Sequence, residues 1–77
     1  MRDHMNNITD RQQQFLDFLT EYQRRHGEGP TFREIAIAMN VTSKGTITAV
    51  IDALVNKGFV DRRDGEVRGL TVRRKAA

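Results

Sequence analysis

The chain has no cysteine among its 77 residues. That absence excludes disulfide scaffolds, thiol catalysis, iron–sulfur clusters and every cysteine-based zinc site. No apolar run approaches the ~18–20 residues of a membrane span, and no charged-then-apolar secretory start is visible. A cytoplasmic protein is expected. The two histidines, His4 and His26, have no partners at ligand spacing, so no metal site is expected. No Ser-His-Asp or Ser-Lys constellation can be assembled with a pocket-forming scaffold at this length, so neither an enzyme nor a cofactor is expected. Internal repeats and low-complexity segments are also missing.

What is present reads as one folding domain with a small core, since a domain of this size buries only about 60% of its unfolded surface. Apolar residues make up 38%, and the net charge is +3. The charge is unevenly spread. Residues 1–42 carry net −1, whereas residues 43–77 carry net +4. A near-neutral front half joined to a basic back half suits a polyanionic partner, although a solvated surface with a charged tail has the same composition.

Residues 1–8 lack periodicity and read as a flexible arm. Thr9-Asp10-Arg11-Gln12 is a capping box, and behind it Phe15, Leu16, Phe18, Leu19 and Tyr22 make one apolar face. This predicts a helix from Asp10 to His26, with Arg24, Arg25 and His26 suited to its negative end and Gly27 and Gly29-Pro30 stopping it. Thr31-Phe32-Arg33-Glu34 is a second capping box, opening a helix through Met39 whose Phe32, Ile35, Ala36 and Met39 share a face. Asn40-Val41-Thr42 breaks it, with Asn40 left-handed and Val41 plugging the core. Ser43 caps a third helix carrying the stripe Ile47, Val50, Ile51, Leu54 and Val55, closed by Lys57-Gly58. The stripe leaves Lys44, Gly45, Thr46, Thr48, Ala49, Asp52, Ala53 and Asn56 outward, mostly small and polar. Beyond Gly58 the period shortens. Asp64-Gly65, between Phe59–Arg63 and Glu66–Val72, predicts a hairpin, and residues 73–77 form a basic tail.

The expected fold is therefore α+β, mainly α: a three-helix winged helix-turn-helix over residues 9–72 with a C-terminal β-hairpin wing. In that arrangement the helix after the break enters the DNA major groove and the wing lies beside it. The candidate contacts are Ser43, Lys44, Gly45, Thr46, Thr48 and Ala49 on the third helix, Arg62, Arg63 and Arg68 on the wing, and Arg33 at the start of the second helix. Lys44 is unfavourable at a positive helix terminus unless it meets a phosphate or a guanine edge. Threonines offer hydroxyls to base edges and methyls to thymine. Alternation puts Arg62 and Arg63 on opposite faces of their strand, and Arg68 is the preferred wing contact.

Thr9-Asp10-Arg11-Gln12-Gln13, Pro30-Thr31 followed by Glu34-Ile35-Ala36, Ser43, Leu54 followed by Lys57-Gly58, and Arg68-Gly69 occur in an order and spacing that resembles the DNA-binding domain of the LexA repressor family. The resemblance covers about residues 9–72. It implies a double-stranded DNA-binding transcriptional regulator of bacterial or phage type, and it also matches Arg68 to the family's wing. In that family the groove-reading helix carries an asparagine and two glutamates, where this chain has Gly45, Thr48 and Ala49, so the family's operator is not carried over. The family's self-cleaving serine–lysine protease domain, which supplies dimerisation, has no counterpart in these residues. The expectation is a LexA-like repressor without that domain, binding as a homodimer on DNA or with partner assistance. The competing reading is a winged-helix adaptor or antirepressor that grips a protein through an apolar edge such as Phe18 or Phe59. A third is a nonspecific nucleoid or RNA-binding factor.

Overall fold

Local capping chemistry defines all three helices of the computed structural model, which describes residues 8–73. Helix α1 runs Asp10–His26. The Thr9 hydroxyl accepts from the Gln12 backbone N–H at 3.1 Å, and the Gln12 side chain accepts from the Thr9 N–H at 3.2 Å. Helix α2, Phe32–Met39, repeats the device: the Glu34 N–H donates to the Thr31 hydroxyl at 3.1 Å, and Glu34 Oε1 accepts from the Thr31 N–H at 2.9 Å. Helix α3, Lys44–Asn56, is capped by Ser43, whose hydroxyl accepts from the Thr46 N–H at 3.3 Å.

The ends of α2 and α3 are built alike. Asn40 is left-handed at φ 56°, its N–H reaches the Ile37 carbonyl at 3.3 Å, and the Val41 N–H reaches the Ala36 carbonyl at 3.0 Å. Gly58 takes the same role after α3 at φ 86°, with Gly58 N–H to Val55 O and Phe59 N–H to Leu54 O both at 3.0 Å. These paired bonds are the Schellman pattern, which turns the chain sharply while satisfying carbonyls that a helix end would orphan. The first of them aims α3 away from α2, and the second sends the chain into the wing.

Strand β1, Val60–Arg62, pairs antiparallel with β2, Leu70–Val72, in the register Val60 to Val72, Asp61 to Thr71 and Arg62 to Leu70. The outer edge of β2 is covered by α1, where Gln23 Oε1 accepts from the Val72 N–H at 2.8 Å. The core joins every element: Phe15 and Leu19 of α1, Ile35 of α2, Ile47, Val50, Ile51 and Leu54 of α3, Val60 of β1 and Leu70 of β2. Val41 is half-buried against that core, as its place in the break predicts. Three helices followed by a two-stranded hairpin make a mainly helical winged helix-turn-helix.

The hairpin departs from the sequence expectation in one respect. Asp64-Gly65 does not join the strands directly, because seven residues, 63–69, separate them. The dipeptide sits instead inside a turn closed by the Glu66 N–H on the Arg63 carbonyl at 3.4 Å, with Gly65 at φ 84°. Only Asn40 has a positive φ among the described non-glycine residues, so Asp64 does not adopt the geometry of a tight two-residue hairpin. Pairing continues one bond past the strands, with the Arg63 N–H on the Gly69 carbonyl at 3.0 Å, and the next residue of that arm, Arg68, is turned towards α1 and α2. The expected arm, apart from Ile8, and the tail residues Arg74 and Lys75 lie outside the described residues.

Candidate nucleic-acid interface

Helical spacing of about 100° per residue, combined with the buried stripe, fixes which α3 side chains face outward. Gly45, Ala49, Asp52 and Asn56 are exposed, with Thr48 half-buried beside them. Lys44 and Thr46 occupy opposite flanks. Lys44 is exposed on the side of the wing, whereas Thr46 is half-buried on the far side. The structure thus brings Lys44, Gly45, Thr48 and Ala49 together on the wing-side and outward surface, and sets Thr46 apart from Thr48. A Cβ added at Gly45 would meet nothing closer than the Ser43 hydroxyl at 3.7 Å, so packing within the chain does not demand glycine there.

The wing arginines differ sharply from one another. Arg62 donates to Asp52 Oδ1 at 3.1 Å and lies over the Phe32 ring, 5.3 Å from its centroid. Arg63 is turned to solvent, 73% exposed, with Glu66 at 3.9 Å. Between the wing and the starts of α2 and α3 runs a cleft of about 310 Å³, lined by Phe32, Lys44, Arg62, Arg63, Gly65 and Val67 among others. Val67 stands 79% exposed on the wing loop. Arg33 is exposed in the first turn of α2 and makes no hydrogen bond or ion pair among the described residues.

Arg68, the preferred wing contact from sequence, is drawn into the fold by contacts that spacing does not signal. Its Nη1 lies within hydrogen-bonding distance of Glu34 Oε1 at 2.9 Å, the Tyr22 hydroxyl at 2.9 Å and the Gly29 carbonyl at 3.1 Å. Its Nη2 donates to Glu34 Oε2 at 2.9 Å, and Nε faces Glu28 at 3.6 Å. Each of the three guanidinium nitrogens thus has a partner within the fold, and the side chain is 33% exposed. The fork on Glu34, reinforced by the Thr31 backbone N–H and the Tyr22 hydroxyl, lowers the Glu34 carboxyl to a pKa of about 2. The same contact, led by Glu34 and then Tyr22, raises the Arg68 pKa.

In the sequence Glu34 stands as a cap and Tyr22 in the apolar face of α1. Nothing local signals their second role, because Arg68 lies 34 and 46 residues away along the chain. Phe18 and Phe59, the edge proposed for gripping a protein, are both half-buried against the core. Among the described residues no group of three or more His, Cys, Asp or Glu is arranged to hold a metal ion, and no helix is long and apolar enough to cross a membrane.

Residues 5–69 match the family described as the LexA DNA binding domain. The chain belongs to that family. LexA repressor 2 of Geobacter sulfurreducens is 40% identical over 68 residues, which cover 88% of this chain and 34% of that protein. The LexA repressor of Thermotoga petrophila is 37% identical with the same two coverages. That of Pseudothermotoga lettingae is 42% identical over 55 residues, covering 71% of this chain and 27% of the relative. The chain therefore spans about a third of the length of the first of these LexA repressors, and its likeness to them is a likeness to their DNA-binding part.

Proposed function

We propose that this LexA-family domain is a sequence-specific double-stranded DNA-binding module of a transcriptional repressor. The observation that carries the reading is the outward side of α3, where small residues at Gly45, Thr48 and Ala49 leave room for close approach to a base-pair surface. Lys44 borders that surface and the wing flanks it. In this account α3 enters the major groove, Lys44 and Thr48 reach base edges, and Gly45 and Ala49 allow the backbone close to them. Ser43 and Arg33 meet phosphates at the entrances of α3 and α2, and Arg63 meets the neighbouring backbone, with Arg62 beside it held on Asp52. Thr46 contributes, if the helix tilts, only from the far flank. A single module of this kind buries only about 600–1,000 Å² of protein surface on DNA. We therefore propose two copies on a repeated or palindromic site, acting in the cytoplasm.

The reading is tested by titrating the chain against labelled random-sequence duplex and against DNA flanking its own gene, at two salt concentrations. A preference for the flanking DNA that survives the higher salt supports a sequence-specific regulator. Equal binding to both reduces the reading to a general DNA binder. Absence of binding at either salt overturns it in favour of a protein-gripping adaptor.

A further inference from the structure

We infer that Arg68 and Glu34 form a positioning pair that fixes the wing against the helix-turn-helix, so that the duplex meets wing and α3 as one surface. The inference rests on the duplex-binding reading for its consequence, but not for its geometry. A hairpin of two three-residue strands is marginal by itself and takes its orientation from whatever holds it. Here each strand side has one arginine tether. On the β1 side, Arg62 reaches Asp52 of α3 and the Phe32 ring of α2. On the β2 side, Arg68 reaches Tyr22 of α1, Gly29 of the connection and Glu34 of α2.

The second tether has the better-defined geometry. Both Glu34 oxygens accept from separate guanidinium nitrogens at 2.9 Å, a planar fork that fixes angle as well as distance. Glu34 Oε1 is itself held by the Thr31 N–H at 2.9 Å, so the carboxylate is anchored to the start of α2 rather than to the wing alone. One carboxylate therefore both caps α2 and sets the wing relative to it. Since α2 fixes the direction of α3 through Asn40 and Val41, the wing and α3 share one frame.

Simple electrostatics and this geometry predict opposite signs for Glu34→Gln. Removing an acid near a duplex strengthens binding if charge alone matters. Loosening the wing weakens it. A glutamine keeps the cap, as Gln12 does at the start of α1, so the fold persists. We expect Glu34→Gln to weaken duplex binding by about fivefold, and the double variant with Arg68→Gln to lose no more than the worse single variant. Arg68→Lys discriminates further. A lysine serves a phosphate nearly as well but cannot make the fork, so it is expected to lose as much as Arg68→Gln.

Backbone amide NMR of the DNA-free chain supplies the second readout. In Glu34→Gln the Gly65 and Val67 signals are expected to shift and lose order, while α3 signals hold. Unmoved wing signals overturn the positioning pair whether or not the chain binds duplex. Tighter or unchanged binding by Glu34→Gln overturns its role on DNA, as do additive losses in the double variant. Failure of the unaltered chain to bind any duplex defeats the proposed function instead, leaving the amide result to decide the geometry.

Discussion

Arg62 of the wing donates to Asp52 of α3 at 3.1 Å, so a strand cation is held against an acid on the helix surface proposed to face DNA. The pair neutralises a carboxylate that would repel phosphate and occupies a guanidinium that would attract it. Both side chains are substantially exposed, and such a pair contributes little to stability, about 0–1 kcal/mol. Its consequence falls on binding.

Asparagine at position 52 keeps an amide oxygen for Arg62, which also stays over the Phe32 ring, so the wing remains tethered. Asp52→Asn is expected to leave thermal stability nearly unchanged and, having lost a carboxylate, to tighten binding to duplexes of any sequence. The Arg62 charge, no longer neutralised by a carboxylate, becomes available to a phosphate, and the log–log salt slope steepens by about 0.9. Salt-dependent titration of the two proteins checks this. Weaker binding by the variant would mean that Asp52 itself contacts a base.

Gly45 offers a test of close approach. It lies in an exposed first turn with open space around its missing Cβ. Gly45→Ala is expected to stabilise the chain by up to about 1 kcal/mol, since glycine disfavours helix. Gly45→Leu is expected to fold equally well and to lose duplex affinity, because its side chain occupies the approach. Denaturation midpoints and Kd values measured together separate the two effects. A leucine variant that binds as tightly as the parent removes Gly45 from the interface.

The turn between α2 and α3 depends on a left-handed residue. Asn40→Gly is expected to be tolerated, whereas Asn40→Val should destabilise by about 1–2 kcal/mol, because a branched side chain clashes at φ 56°. Chemical denaturation reads this directly.

Acid should expose the Glu34 contact. Its folded pKa is about 2, below the ~4.3 of an unfolded glutamate. The contribution is therefore present above about pH 4.3 and is lost progressively as pH falls towards 2. Glu34→Gln is expected to flatten that part of the stability profile. An unchanged acid limb in the variant would contradict the assignment.

These predictions draw on two kinds of information in the sequence. Thr9 with Gln12, Thr31 with Glu34, Ser43, Asn40 and Gly58 act within one helical turn of their own positions, so the three helices and both sharp turns were legible from spacing alone. Most outward residues of α3 were legible too from the stripe between Ile47 and Leu54, but Thr46 and Ala53, expected outward, are half-buried at its margins. The wing was legible only in outline. Asp64-Gly65 signals a turn, but neither the width of the loop nor the direction of Arg68 is signalled locally. That direction is set by Tyr22, Gly29 and Glu34, all more than thirty residues away in sequence. The same distance hid which arginines were already engaged within the fold.

Amide chemical-shift mapping during a duplex titration shows whether DNA meets the starts of α2 and α3 together with the wing. The largest changes are expected at Arg33, Lys44, Gly45, Thr48 and Ala49 and in the wing around Arg63 and Gly65, with the outer face of α1 at Asp17 and Arg24 unmoved. Changes centred on that face of α1, with α3 and the wing silent, would contradict that placement of the duplex.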